Sequence, residues 1–368
     1  MKVLGIETSC DETAVAIVEN GSFLLSNVVN TQIDIHAVYG GVVPEIAARS
    51  HLEVMTPVIE EALRRAACTW DDIDAIAVTY APGLIGSLLV GTLSARILSI
   101  IKQKPLYPIH HVEAHVYANF LTGGVRDESS GVSNYAFPAN APQFPVLALI
   151  VSGGHSQLVL FTAHGEYTLL GQTQDDAVGE AFDKVAKIIG LPYPGGPSIA
   201  KAALLGDDKA FKLPKARMQG AYDFSFSGLK TAVLRAIQHH VGVGYDFPSY
   251  KLAERLDDVS RNNMAASFQR TAIETLVDKT VAAFKDHSPT SVVIAGGVAA
   301  NQELRRQLAE RLPIEIEYPD IRLCTDNGAM IATLGYYRAT KAINGATTIS
   351  RENEVDPLQL EVAPSLSM

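Results

Sequence analysis

One order of elements occurs twice in the sequence, and this repeat limits the folds open to the chain. In the first copy, an apolar strand at Lys2 to Gly5 precedes a polar tip, a second strand, the turn Glu19-Asn20-Gly21 and a third strand. The second copy starts with the strand Val146 to Val151 and the tip Ser152 to Ser156, and continues in the same order. Two such units, each followed by further helix and strand patterns, predict two similar α/β lobes whose tips meet at a cleft.

The longest uncharged stretch, Ala75 to Ala95, is long enough to raise the question of a transmembrane helix. The Pro82-Gly83 break divides it, so we predict a buried strand, Ala75 to Thr79, followed by a buried helix in the core of an α/β protein. Glu7 and Asp11 precede any apolar segment of signal-peptide length. We therefore expect neither a membrane segment nor a secretory signal.

Composition favours a folded cytoplasmic protein. With 47% hydrophobic and 19% charged residues, the 368-residue chain has enough apolar side chains for about two domains. Cys10, Cys68 and Cys324 lie far apart, which indicates neither a disulfide framework nor a thiolate zinc site. The net charge of −10 opposes a nucleic-acid partner, yet residues 201–270 carry eleven Lys and Arg against seven Asp and Glu. That basic segment fits a nucleic-acid surface and equally an ordinary solvated face.

Two histidines four residues apart, His111 and His115, lie where a helix is plausible, so both imidazoles can face one metal ion. Two unrelated surface histidines fit the same spacing. Glu113 lies about 200° around the helix from His111, whereas the base of the zinc-protease pattern directly follows the first histidine. Asp326 is a candidate third ligand by type and by its position between loop and helix, although it also fits a helix N-cap.

Glycine-rich segments predict a place for a phosphate-bearing ligand. The tip Ser152-Gly153-Gly154 offers backbone amides with no Cβ in the way, although a tight hairpin explains the same residues. Gly195-Gly196 offers a further close approach, as does Gly296-Gly297 between a strand and a helix. Asp183 could accept hydrogen bonds from ribose hydroxyls, or it could pair with a neighbouring lysine on a solvated face.

Eight short motifs follow one another along the chain: Gly5-Ile6-Glu7-Thr8-Ser9-Cys10-Asp11-Glu12-Thr13, His111-x-x-x-His115, Val151-Ser152-Gly153-Gly154-His155, Asp176-Ala177-x-Gly179-Glu180-Ala181-Phe182-Asp183-Lys184, Tyr193-Pro194-Gly195-Gly196-Pro197, Phe224-Ser225-Phe226-Ser227-Gly228-Leu229-Lys230-Thr231, Gly296-Gly297-Val298-x-x-Asn301 and Cys324-Thr325-Asp326-Asn327-Gly328-Ala329-Met330. Together they resemble the bacterial tRNA threonylcarbamoyladenosine transferase family, once described as glycoproteases. The resemblance runs from Lys2 to about Gly345.

The resemblance implies the two-lobed α/β architecture shared with actin, hexokinase and the heat-shock ATPases, with duplicated lobes around a central cleft. It places an N-terminal lobe at residues 1–119, joined by a returning segment at 325–345, and a C-terminal lobe at 120–324. Loops 123–143 and 239–250 look longer than the family pattern. Residues 346–368 lack periodicity, and we expect a flexible tail there.

The activity implied by the resemblance is transfer of the threonylcarbamoyl group from threonylcarbamoyl-AMP to the exocyclic amine of the adenine beside the anticodon, in tRNAs that read codons beginning with A. AMP is released. The family's metal ligands fall on His111, His115 and Asp326, and its acidic catalytic position falls on Asp11. Its adenylate contacts fall on Ile150, Val151, Ser152, Gly153, Gly154, Asp183, Gly196 and Asn301.

The resemblance also implies a cofactor and partners. The ion is expected to be Fe²⁺, and two histidines with one carboxylate suit Zn²⁺ or Mn²⁺ as well. Besides tRNA, the expected partners are an inactive paralogue that forms a heterodimer and a small ATPase. Three rival functions remain open: a metalloprotease, a kinase or chaperone-like ATPase on the same fold, and a scaffold that recruits the true catalyst.

Overall fold

The structure, a computed structural model, describes residues 1–343 and 346–368. They form two compact units, Met1–Pro142 with Glu317–Met368, and Gln143–Ile316. The boundaries predicted after residues 119 and 324 both fall inside the first unit. Residues 120–142 belong there because Gly123 pairs with Phe23 and because the Ala136 amide donates to Asp320. Residues 344 and 345, at the end of the predicted returning segment, lie outside the described residues.

A six-stranded sheet forms the centre of the first unit. Its strands are β1 (Lys2–Glu7), β2 (Glu12–Glu19), β3 (Phe23–Thr31), β4 (Ala75–Ala81), β5 (Leu106–His110) and β6 (Gly123–Gly124). Their order across the sheet is β5-β4-β1-β2-β3-β6. β1, β2 and β3 form an antiparallel meander, whereas β4 is parallel to β1 and β5 is parallel to β4. Continuous apolar runs bury β1, β2 and β4 on both faces.

Four helices of the first unit are α1 (Ile33–Ala37), α2 (Pro44–Arg65), α3 (Ile85–Lys102) and α4 (His111–Tyr117). α3 begins after the Pro82-Gly83 break, as predicted. It is long and apolar enough to cross a membrane on length and composition alone. The prediction that this helix is buried is wrong for one of its faces, which exposes Ile85, Leu89, Leu93, Ile97 and Ile101.

The second unit repeats the meander of the first. Its elements are β7 (Val146–Val151), β8 (Ser156–Ala163), β9 (Glu166–Gln172), α5 (Val178–Ile189), α6 (Gly195–Ala203), α7 (Ser227–His240), α8 (Asp258–His287), β10 (Ser291–Ala295) and α9 (Gln302–Arg311). The sheet order is β10-β7-β8-β9, antiparallel except that β10 is parallel to β7. Strands β4-β1-β2-β3 have the same arrangement, so the predicted α/β fold with a duplicated unit is confirmed.

The chain then returns to the first unit through α10 (Gly328–Ala339) and the hairpin β11 (Thr340–Ile343) and β12 (Ala346–Ile349). α10 lies directly on β1 and β2. A Cβ at Gly5 would come within 2.4 Å of the Ala332 nitrogen, and one at Gly328 within 2.4 Å of the Ala16 nitrogen. Only glycine permits this approach, which fixes the loop carrying Asp326 at the end of the helix nearest β1 and β2.

The C-terminal residues differ from the flexible tail that was predicted. The Ala363 amide donates to the Tyr80 carbonyl at 2.9 Å, and His110 Nε2 lies 3.2 Å from the Leu366 carbonyl oxygen. Leu360 is buried in the core of the first unit. After β12, the segment has no periodicity because Leu360, the partly buried Val355 and a few hydrogen bonds hold it in place rather than a regular element.

Candidate metal centre and adenylate site

The polar tip between β1 and β2 is held by hydrogen bonds to its backbone. The Ser9 carbonyl accepts from the Leu84 amide at 2.8 Å, and the Cys10 carbonyl accepts from the Ser87 hydroxyl at 3.1 Å. Buried His51 places Nε2 3.0 Å from the same Cys10 oxygen. Asp11, the predicted catalytic residue, is therefore a buried side chain on a fixed loop.

Two histidines and one carboxylate converge beside this tip. His111 and His115 lie one turn apart on α4, and both are buried. Their Nε2 atoms are 3.2 Å apart and lie 3.5 Å and 3.3 Å from Asp326 Oδ1. Three acceptor atoms this close need a shared proton or a cation between them, and imidazole with carboxylate suits a divalent transition metal. The cluster His111, His115 and Asp326 could therefore hold a metal ion.

The helix-cap reading of Asp326 is wrong. Asn327 caps α10, because its side-chain oxygen accepts from the Met330 amide at 3.0 Å. The Asn327 side-chain nitrogen also donates to the carbonyls of Leu323 and Thr325. Asp326 is thus left to face the histidines rather than the end of its own helix.

The electrostatics of the cluster favour a cation. Burial alone would lower the pKa of His111, but the carboxylates of Asp326 and Glu7 outweigh it and raise that pKa to about 9. Burial raises the pKa of Glu12 to about 10, with further repulsion from Asp326 and Asp11. Several carboxyl groups thus share a small volume in which positive charge is favoured.

Glu113 has a different partner. It is buried, and its Oε2 accepts from Arg338 Nη2 at 2.7 Å. Burial raises the pKa of this carboxyl, and Arg338 partly offsets the effect. Glu113 therefore ties α4 to α10 and is not aimed at the histidine cluster, in agreement with the sequence analysis.

In the second unit, Ile150 and Val151 end β7, and the tip follows with the Ser152 amide donating to the His155 carbonyl at 2.8 Å. A Cβ on Gly153 or Gly154 would meet nothing within 4 Å, so one side of the tip is open. On its other side the tip is closely packed. Gly179 on α5 would place a Cβ 2.6 Å from the Ser152 carbonyl oxygen, and Gly296, at φ +87°, would place one 2.4 Å from the Val151 carbonyl oxygen.

Asp183 lies one turn beyond Gly179 on α5. Its Oδ1 accepts from the Gly195 amide at 2.7 Å, whereas its neighbour Lys184 pairs with Asp176 and Glu180. The alternative that Asp183 pairs with a neighbouring lysine is therefore wrong for Lys184. Burial raises the pKa of Asp183, and the Gly195 amide partly opposes this.

Two further predicted residues flank this region. A Cβ on Gly196 would meet nothing within 4 Å, so its backbone is open to an approaching molecule. Asn301 caps α9 through the Leu304 amide at 3.1 Å, and its side-chain nitrogen donates to Gln269 on α8 at 3.0 Å. This capping role holds the amide side chain in one orientation.

Comparison with known proteins identifies the chain. A sequence model described as "TsaD: tRNA N6-adenosine threonylcarbamoyltransferase" matches residues 23–333. The chain belongs to this family. A tRNA N6-adenosine threonylcarbamoyltransferase of Thermomicrobium roseum is 49% identical over 350 residues, 93% of each chain. One of Bacillus subtilis is 46% identical over 351 residues, 94% of this chain and 93% of its own.

Among solved structures, HypF of T. kodakarensis is similar to this TsaD-family chain with a TM-score of 0.55 at 13% identity, over 91% of this chain and 47% of HypF. Full-length HypF in a phosphate- and nucleotide-bound form gives a TM-score of 0.53, also at 13% identity, over 91% of this chain and 46% of HypF. At this level of identity the likeness concerns the fold alone.

The sequence of this TsaD-family chain indicated no role for Glu7, Ser9 or Thr79. In the structure, Glu7 and Ser9 lie against His111, and the Thr79 hydroxyl donates to Glu7. Glu7 lies at the end of a strand, where a carboxylate ordinarily faces solvent, yet it is fully buried. The one feature of the sequence that could have indicated a buried Glu7 is its position directly after the apolar run Val3 to Ile6 and before the small polar residues of the tip.

Proposed function

We propose that this chain transfers a threonylcarbamoyl group from threonylcarbamoyl-AMP to the exocyclic amine of the adenine beside the anticodon of tRNA, with release of AMP. As a member of the TsaD family, the chain is a transferase that acts on tRNA adenosine. The observation that carries the proposal is the convergence of His111, His115 and Asp326 in a chain of that family. The restriction to tRNAs that read codons beginning with A belongs to the same proposal.

The metal centre of the proposal uses these three residues as ligands, and Fe²⁺ is the proposed ion, with Zn²⁺ as the alternative. Three protein ligands leave coordination positions open for substrate. A bound ion would act as a Lewis acid on the carbamoyl carbonyl. The chain itself contributes two buried imidazole nitrogens and the oxygen of a partly exposed carboxylate, and the low polarity around the histidines strengthens the attraction for the ion.

The adenylate is proposed to bind on the second unit. The open backbone of Ser152 to Gly154 offers amides to the phosphate, and the open face of Gly196 leaves room for the nucleoside. Asp183 would accept from ribose hydroxyls while it keeps its bond to Gly195. Ile150, Val151 and Asn301 complete the proposed set by holding the strand end and the cap of α9 in place.

Asp11 is the proposed acidic residue of the reaction. Its loop is fixed by the bonds to Ser9 and Cys10, and its carboxylate belongs to the same electrostatic group as Asp326 and Glu12. In this position it would orient the adenine amine or take its proton as the carbamoyl carbonyl is attacked and AMP leaves.

The rival functions are less well supported. A metalloprotease needs a base beside the metal-bound water, and Glu113 is instead paired with Arg338. A kinase or chaperone-like ATPase has no need of two buried histidines aimed at one carboxylate. A scaffold without catalytic activity would keep full function in an Asp11→Ala variant.

tRNA is the partner that the family membership supports. We further propose a heterodimer with an inactive paralogue, a small ATPase as third component, and a cytoplasmic location. A suitable surface for the heterodimer is the exposed apolar face of α3, defined by Ile85, Leu89, Leu93, Ile97 and Ile101. Single exposed apolar side chains are common on protein surfaces, but a continuous apolar stripe along a helix is typical of an interface.

The test supplies threonine, bicarbonate, ATP, the enzyme that makes the adenylate, unmodified tRNA and the candidate partners, and detects modified adenosine by mass spectrometry. Metal-loaded wild type is expected to give threonylcarbamoyladenosine, and His111→Ala is expected to give none. An absence of product with folded, metal-loaded protein and all partners would contradict the proposal.

A further inference from the structure

A fully buried carboxylate lies behind the metal cluster. Glu7 ends β1, and its Oε2 lies 3.1 Å from His111 Nδ1. The same oxygen accepts from the Thr79 hydroxyl at the end of β4, and Oε1 accepts from the Ser9 amide. Three donors from three segments of the first unit thus fix both carboxylate oxygens.

This contact decides which nitrogen of His111 is available to a metal ion. An ionised carboxylate only accepts hydrogen bonds, so the ring must present N–H at Nδ1. In the neutral imidazole that can bind a metal ion, the opposite nitrogen, Nε2, then carries the lone pair, and it faces His115 Nε2 at 3.2 Å and Asp326 Oδ1 at 3.5 Å. A buried anion is costly unless it is paired, and a cation held on the other side of the ring would supply the balancing charge.

We propose that Glu7 is a positioning residue of the metal centre, which orients His111 with Nδ1 protonated and Nε2 directed at His115 and Asp326. This inference rests on the metal centre of the proposed function. Glu7 is not a ligand, because it contacts His111 on the side of the ring away from the cluster. Ser9 Oγ lies 3.2 Å from the same Nδ1, so the hydroxyl is the competing candidate for this role.

The experiment measures zinc affinity of the purified full chain by competition with a chromophoric chelator, together with the thermal midpoint of each metal-free variant. Loss of an outer carboxylate typically weakens metal binding by about 10–100-fold, and we expect this for Glu7→Gln. The matched control is Glu113→Gln, which alters a buried carboxylate on α4 itself that bonds Arg338. We expect the control and Ser9→Ala to stay within about threefold of wild type, since neither removes this outer carboxylate.

Each outcome bears on a different claim. Wild type that binds no zinc, or His111→Ala that binds as wild type does, would overturn the metal centre and with it this role of Glu7. Wild-type affinity in a folded Glu7→Gln, or a loss confined to Ser9→Ala, would overturn the inference while leaving the metal centre intact. If Glu7→Gln does not fold, Thr79→Val decides: weaker zinc binding with an unchanged metal-free midpoint supports the inference, and wild-type affinity contradicts it.

Discussion

At the residue scale, Asp326 and its neighbour Asn327 have different roles, metal ligand and helix cap, and the sequence alone did not show which residue has which role. Both residue types cap helices and both precede α10, so the pattern left ligand and cap open for Asp326. The structure gives the cap to Asn327 and directs Asp326 to the histidines. Which of two adjacent side chains turns inward depends on the packing of α10 against β1, a contact between distant parts of the chain.

These different roles predict that substitution of Asn327 lowers stability and that substitution of Asp326 lowers metal affinity. Asn327→Ala should destabilise the protein by about 1–2 kcal/mol through loss of a helix cap, and should retain the metal. Asp326→Ala should lose tight metal binding at a smaller cost to the metal-free protein, because the cap remains. Urea unfolding of the metal-free variants and zinc titration measure the two effects. Equal losses of stability with metal binding intact in both would contradict the assignment.

Asp320 gives a prediction on pH. Burial alone would raise the pKa of Asp320, but hydrogen bonds from Arg322 and the Ala136 amide lower it to about 2. A carboxyl with a lowered folded-state pKa stabilises the protein above its unfolded pKa, near 3.8, and this contribution disappears as the pH falls toward 2. Asp320→Asn should therefore be less stable than wild type at pH 7, and the difference should shrink between about pH 4 and pH 2. If urea unfolding gives the same difference in the free energy of unfolding between wild type and Asp320→Asn across this pH range, the prediction is contradicted.

At the element scale, local pattern predicted the repeated meander, the break after β4 and the His111 helix. These elements could be predicted because turn residues and apolar runs a few residues long indicate where each strand or helix begins and ends. The C-terminal segment was predicted wrongly, because only Leu360 is buried there and a single apolar residue gives no period. The apolar face of α3 was missed because large apolar side chains that recur every four residues are the usual pattern of a helix face that packs into the core. In α3 the face that packs inward carries mainly small and hydroxyl-bearing residues, among them Ser87, Gly91 and Ser99, and the large apolar stripe is exposed.

Leu360 tests whether the C-terminal segment stabilises the first unit. Leu360→Ala should cost about 2–3 kcal/mol, since the side chain is 7% exposed and packs in the core. Leu358→Ala is the matched control. Its side chain is 72% exposed, and the change should cost less than about 0.5 kcal/mol. Chemical denaturation measures both, and equal effects would mean that the segment is not packed as described.

At the scale of the whole molecule, the two units divide the proposed chemistry. The metal cluster and Asp11 belong to the first, and the adenylate residues belong to the second. The negative net charge argued against a nucleic-acid partner, whereas membership of the family supports tRNA as the partner. The net charge misled because a sum over the whole chain does not show where the charges lie. No pattern in one sequence describes a partner's surface, so the heterodimer stays a proposal that comes from the family resemblance, and the exposed face of α3 is the surface proposed for it.

That face gives a prediction for assembly. Leu93→Glu, at a position 46% exposed, should place a charge in the proposed heterodimer interface and weaken association with the paralogue at least about tenfold, while the isolated chain stays folded. Leu204→Glu, at an 85% exposed position on the second unit, is the control and should leave association unchanged. Analytical ultracentrifugation of the mixed subunits measures the binding. Unchanged association of Leu93→Glu would remove α3 from the interface.

The most direct test of the central claim supplies purified threonylcarbamoyl-AMP and unmodified tRNA to the assembled, metal-loaded protein in a single turnover. Modified adenosine and AMP should appear together in equal amounts, and both should vanish after chelation of the metal and in a folded Asp326→Ala variant. If the chelated protein and the Asp326→Ala variant form as much product as the metal-loaded wild type, the claim that His111, His115 and Asp326 form the reaction centre is contradicted.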